Sequence, residues 1–200
     1  MVIQWCLKGI QARAPGFGDK EAADLMQSGI ASNWLRANAG LPILSALESA
    51  QRSLSESALV AHVNSYAVVR TSTPYISLSA GVVLRDSKLG SRLFPAWRSA
   101  VNFATERGKT DGYIFRVWTV VTPQPSPEVI GVSEEIRNLN LFRTSWRWQH
   151  QGEITAKVIL PSVQIEYFQK ITATGSLIGT KQTNPHFVDP ATVSNLLREI

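Results

Sequence analysis

The segment Tyr113 to Val121 is an apolar run rich in aromatic and β-branched side chains, which fits a buried strand and limits the fold more than any other stretch. The Pro-rich segment Thr122 to Pro127 must end that strand, because proline has no N–H to give to a ladder. A buried strand needs cover, and a candidate lies just upstream. Trp97, Ala100, Val101 and Ala104 recur at i, i+3, i+4 and i+7, behind Pro95 and ahead of Gly108. That spacing predicts a helix packed on a sheet.

The remaining elements set the class. Val2 to Leu7 reads as a strand, followed by a Pro15-Gly16-Phe17-Gly18 turn and a helix capped by Asp19, with Glu21 and Asp24 in its first turns and Gly29 at its end. A second helix starts at Pro42 with Ile43, Leu44 and Leu47 at helical spacing; a polar joint from Ser53 to Ser57 precedes a third, through His62. Strands dominate from Ile76 onward, including Glu153 to Leu160 and Gln164 to Ile171 with Pro161 between them. Helices grouped before and among strands, without regular alternation, predict an α+β domain and argue against a doubly wound sheet. The expected organisation is one domain over 1–171, its helical part about 19–63, and a tail over 172–200 in which Asp189-Pro190 starts a short helix.

Composition narrows function. With 200 residues and 44% hydrophobic residues the chain can bury one ordinary core, and no apolar run approaches the ~20 residues of a spanning helix. A soluble protein is expected, without membrane partner and without a Sec-type signal: cytoplasmic, or delivered as an effector by another machine. Cys6 is the only cysteine, which excludes an internal disulfide and a thiolate zinc cage; it reads as a small core residue, and no metal site is expected. The net charge of +5 falls after residue 60, as suits a polyanionic ligand such as a dinucleotide, RNA or DNA.

The most informative stretch runs from Trp146 to Ile165. If Glu153 opens a strand, Gln151 and Glu153 project to one face, so an amide and a carboxylate can act on one bound molecule, with Gly152 allowing close backbone approach. On spacing alone a Gln-x-Glu triplet also decorates solvated edges. In order, Trp148, Gln151, Glu153, Ala156, Leu160, Pro161, Gln164 and Ile165 resemble the Glu/Gln-x-Glu signature of the ADP-ribosyltransferase family of cholera-like and Rho-modifying toxins. Thr73 to Ser79 is similar to the family's Ser-Thr-Ser strand. Ala100, Phe103 and Ala104 before Gly112-Tyr113-Ile114 resemble its Ala-x-x-Phe-Ala helix and following strand. The resemblance covers Thr73 to Ile171 and implies an ADP-ribosyltransferase-like split β-sandwich with an N-terminal helical region.

It also implies NAD as substrate and transfer of ADP-ribose to a macromolecular acceptor, protein or nucleic acid, in the manner of a toxin or effector. Glu153 would stabilise the ribose cation, Gln151 orient the acceptor, and Thr73 orient Glu153. Lys8 stands where the family's first strand carries an arginine: it keeps the charge but loses the planar fork, which Arg13 is placed to supply. Tyr75 is expected against nicotinamide or in ordinary sheet packing, with Ser77 and His62 lining the cofactor pocket. Trp148 either stacks on a flat acceptor or fills core. An NAD glycohydrolase and a catalytically silent binding module on the same fold are the rival readings. An immunity protein is a partner class that such toxins imply; the sequence names no acceptor and no oligomeric state.

Overall fold

A computed structural model describes residues 1–12, 17–86, 90–122, 124–136 and 152–192. The predicted central strand is there as β6 (Gly112–Val121), flanked by β1 (Val2–Gln11) and β10 (Ile165–Ile171). The main sheet has seven antiparallel strands in the order β11-β10-β6-β1-β3-β8-β7, where β3 is Tyr75–Ser79, β7 Glu134–Glu135, β8 Glu153–Lys157 and β11 Leu177–Thr183. Two small pairs complete it, β2 (Ile30–Ala31) with β9 (Ile159–Leu160), and β4 (Val82–Asp86) with β5 (Gly90–Phe94). The fold class is α+β, as the sequence led us to expect.

β1 pairs with β6 along its whole length but meets β3 at a single register pair, Leu7 with Ser79. The sheet therefore divides into two leaves, joined at that pair and again where Val121 of β6 bridges Ser133 just before β7, and a gap opens alongside Lys8 to Gln11.

Pleating assigns the two faces. Cys6, Tyr113, Phe115, Val117, Ile76 and Ile154 point toward α1 (Asp19–Ser28), forming a core with its Ala22 and Met26. Leu7 and Ile114 point the other way, toward Ala100 and Ala104 of α6 (Ala96–Ala104). On that second face, beyond the gap, a separate core joins Tyr75 and Val158 to α2 (Asn33–Ala37), α3 (Ile43–Arg52) and α4 (Glu56–Asn64); a short helix α5 (Tyr66–Val69) follows.

The helix α6 lies unusually close to the sheet. A Cβ on Gly9 would stand 2.2 Å from the Ala100 carbonyl oxygen, and one on Gly112 2.2 Å from that of Ala104. Such contact leaves room only for alanines beneath the helix, so Trp97, expected in the buried stripe, is 38% exposed. Gly112→Ala should therefore cost about 1–3 kcal/mol, lowering the thermal midpoint by roughly 2–10 °C. Gly40→Ala, with nothing within 4 Å of the added carbon, is the control; equal midpoints for the two variants would remove the close-approach account.

Several expectations need correcting. Asp19 does not cap α1: Gly18 does, its N–H donating to the Glu21 carboxylate at 2.7 Å, while Asp19 accepts from the Tyr113 hydroxyl at 2.9 Å. The strand from Glu153 breaks at Val158, which has a φ of 61°, so Ile159–Leu160 pairs instead with β2. Glu134, with nothing in its neighbourhood in the sequence to mark it, is buried in β7 and ion-paired with Lys157 at 2.6 Å. Beyond 171, β11 extends the same sheet, and Trp118 Nε1 donates to the Val188 carbonyl at 3.0 Å. Asp189 Oδ1 accepts from Ala191 N–H at 2.9 Å, as at the start of a helical turn.

Candidate active site

Leu7, Ser79 and Glu153 are register partners in line across β1, β3 and β8, so all three project to the face that α6 covers. Glu153 consequently sits in a cleft of about 1430 Å³ whose floor is the gap between the leaves. One wall comes from α6; the other comes from α2, α4 and the Ser65–Arg70 segment.

Glu153 is 7% exposed, so it is not a solvated strand end. Local sequence explains its placement. Gly152, with a φ of 62°, lies against Gly81, and its carbonyl accepts from Ala80 N–H at 2.8 Å, which lets β8 begin tightly beside the end of β3. One pleat further on, Thr155 Oγ1 donates to Glu153 Oε1 at 3.3 Å. Burial pushes the carboxyl pKa up, while hydrogen bonds from Ser77 and Thr155 and the charge of Lys8 pull it back toward the ionised form.

His62 on α4 links this carboxylate to Thr73. Its Nδ1 lies 2.8 Å from Thr73 Oγ1 and its Nε2 3.0 Å from Ser77 Oγ. Burial, and secondarily the Lys8 charge, lower its pKa to about 3, so the ring is neutral and its 3.8 Å approach to Glu153 Oε1 is not an ion pair. A carboxylate can only accept, so the donors run one way: Thr73 hydroxyl to Nδ1, Nε2–H to Ser77 Oγ, Ser77 hydroxyl to Glu153.

Lys8 extends its amine into the gap and donates to the Ser77 carbonyl at 3.1 Å. Burial lowers its pKa to about 8; Glu153 opposes that shift and Arg36 adds to it. Lys8, His62, Thr73, Ser77 and Glu153 thus come together. Thr73, expected to orient Glu153 directly, does so only through His62 and Ser77, because it precedes the strand whose pleat aligns Ser77 with Thr155. Tyr75 is 2% exposed, its hydroxyl donating to Ser55 and Pro127 carbonyls at 2.9 and 3.3 Å, so its ring packs behind His62 at a centroid distance of 5.7 Å. Arg13, Trp148 and Gln151 lie outside the described residues.

Sequence reasoning missed Thr155, although the two-residue period from Glu153 points to it. It also missed Asn33, Arg36 and Tyr66. Asn33 Nδ2 donates to Tyr66 Oη at 3.2 Å and to the Arg70 carbonyl, and its Oδ1 accepts from Arg36. The Tyr66 ring meets His62 edge-on at 5.4 Å. No spacing in the sequence marks these residues, which share only a tertiary position.

The fold matches a solved chain named EcPltA over 93% of this chain and 88% of that one, at 11% identity and a TM-score of 0.52. At that identity the likeness is one of fold alone. Weaker likenesses are a chain named CARDS toxin, nicked (8% identity, 93% of this chain, 31% of that chain, TM-score 0.49) and a guanine-specific ADP-ribosyltransferase (15% identity, 64% of this chain, 60% of that chain, TM-score 0.36). This chain spans less than two thirds of both. No family model and no curated protein sequence matches it. Among the described residues, no helix is long and apolar enough to cross a membrane.

Proposed function

We propose that the chain is a mono-ADP-ribosyltransferase that cleaves NAD between ribose and nicotinamide and transfers ADP-ribose to a macromolecular acceptor. The observation that carries this reading is the buried Glu153 carboxylate, held by Thr155 and Ser77 in a cleft it shares with Lys8. The cleft suits the substrate chemically. It has room for a dinucleotide, since small-molecule pockets span roughly 300–1,000 Å³, and its cations Lys8 and Arg36 match a diphosphate.

Departure of nicotinamide leaves positive charge on the ribose, and a fixed anion in a water-poor site stabilises that charge far better than water would. Glu153 supplies the anion. The hydroxyls of Ser77 and Thr155 aim it and favour its ionised form against the burial that raises its pKa, and neutral His62 holds Ser77 in place without adding a competing cation. Lys8 balances the incoming phosphates. Gln151, two residues before Glu153, is the group proposed to orient the acceptor.

The direct test is incubation with NAD labelled in its adenylate part, alone and with protein, RNA and DNA pools. Label on one pool identifies the acceptor class, and label only in free ADP-ribose marks a glycohydrolase. No release of nicotinamide under any condition would reduce the chain to a binding module.

Lys8 gives a pH signature. The folded amine loses its proton near 8, whereas the unfolded one keeps it to about 10.5. Between these values the unfolded chain binds more protons, so stability rises with pH and activity cannot be failing through unfolding on this account. Charge in the cleft does fall, so KM for NAD should rise as pH passes about 8 while kcat changes less. In Lys8→Arg, which stays charged, the rise should vanish; an identical profile in both proteins would take Lys8 out of substrate binding.

A further inference from the structure

The cleft carries more positive charge than a dinucleotide uses. Among the described residues its lining includes Lys8, Arg36, Arg70, Arg98 and Arg107 against one carboxylate, Glu153. NAD brings two phosphates, and two cations stand beside Glu153: Lys8, which reaches across the gap to the Ser77 carbonyl, and Arg36. Of the surplus, Arg70 follows α5, while Arg98 and Arg107 are on α6 and the turn that follows it.

Arg98 and Asn102 are one helical turn apart on α6, Phe103 is next to Asn102, and Arg107 stands in the turn after the helix; all four are exposed and line the cleft. Among the described residues no carboxylate pairs with Arg98 or Arg107. Phe103 is 47% exposed, so its ring is open to stacking by a flat group that enters the cleft. Its backbone carbonyl accepts from Gln11 Nε2 at 3.1 Å, and the close approach of Gly9 to Ala100 fixes the helix against β1, so this wall is rigid. It is also near the carboxylate. Leu7, under α6, and Glu153 are two strands apart in register, a separation of roughly 10 Å.

We infer that this α6 wall, formed by Arg98, Asn102, Phe103 and Arg107, seats a single-stranded nucleic acid as the acceptor of the proposed transfer. Two cations on either side of an exposed ring match a strand that offers phosphates next to an unstacked base. A duplex would offer no free base to Phe103. An acidic protein loop would meet the cations but leave the ring uncovered. The inference rests on the proposed reaction only for what happens next to the bound strand; binding itself needs no NAD.

The test is fluorescence anisotropy of the full chain, without NAD, on labelled single-stranded DNA, single-stranded RNA and duplex DNA of one mixed sequence. Single strands should bind more tightly than duplex, and the DNA and RNA arms decide which sugar is preferred. Phe103→Ala should weaken binding about tenfold. Arg98→Gln and Arg107→Gln should each weaken it and reduce the slope of log affinity against log salt by about 0.7. All three positions are exposed, so circular dichroism should show unchanged folding; if Phe103→Ala does misfold, the two arginine variants carry the same comparison. No binding at low salt, affinity equal for duplex and single strand, or variants indistinguishable from the native chain would each overturn the inference. So would label from NAD appearing on protein alone. Nicotinamide release without oligonucleotide binding removes the acceptor and keeps the reaction; binding through α6 without NAD cleavage does the reverse.

Discussion

Glu153→Gln should lower NAD cleavage by at least ~10²-fold, the usual scale for losing one preorganised electrostatic stabiliser. The substitution is nearly isosteric, and the amide oxygen can still accept from Thr155 and Ser77, so geometry is retained and charge alone is lost. Stability should hold or rise, because burial already disfavours the ionised carboxyl. This separates catalysis from folding. Nicotinamide release, followed alongside the thermal midpoint, should show a large fall in rate with an unmoved or higher midpoint. Turnover equal to that of the native chain would strip Glu153 of its proposed role.

Lys157→Ala should be among the most destabilising single changes in the molecule, at about 3–5 kcal/mol, because it strands a buried carboxylate. Lys157 Nζ is 2.6 Å from Glu134 Oε1 and also donates to the Ser126 and Val129 carbonyls; the Ser126 N–H in turn donates to both Glu134 oxygens. Burial lowers the Lys157 pKa, and Glu134 opposes that shift. The pair is therefore costly to form and costlier to break. Replacing both partners, as in Lys157→Met with Glu134→Leu, should recover much of the loss, since apolar groups of similar volume leave no bare charge. Urea unfolding of Lys157→Met, Glu134→Leu and the double variant forms a complete cycle; additive losses would show that the two side chains do not depend on each other.

The parts of the fold legible in the sequence were those where one face or one turn decides the outcome. Tyr113 to Val121 announced itself because a strand buried on both faces has little choice of residue. Pro42 and Pro95 marked helix starts because proline fits the first helical positions. β11 was missed because an edge strand that is almost wholly exposed has no apolar alternation to display. The burial of Glu134 was not legible, because its partner Lys157 lies on another strand and nothing local distinguishes a buried glutamate from a solvated one. At the candidate site, Glu153 was legible from a motif, and Thr155 was missed although strand periodicity from Glu153 points to it. The helix-borne Asn33, Arg36, Tyr66 and Arg98 were not, since loop lengths and the packing of α6 bring them to the cleft.

The single pair between Leu7 and Ser79 has a mechanical side. Lys8 belongs to one leaf and Glu153 to the other, so cation and anion ride on separate plates, fastened beside the cleft at this one rivet and farther off by the bridge between Val121 and Ser133. A substitution that tilts either plate, however far from bound substrate, changes the spacing of the two charges. It should disturb affinity and rate together, and mutational scars in β1 and β3 should look functional even where no side chain touches a ligand.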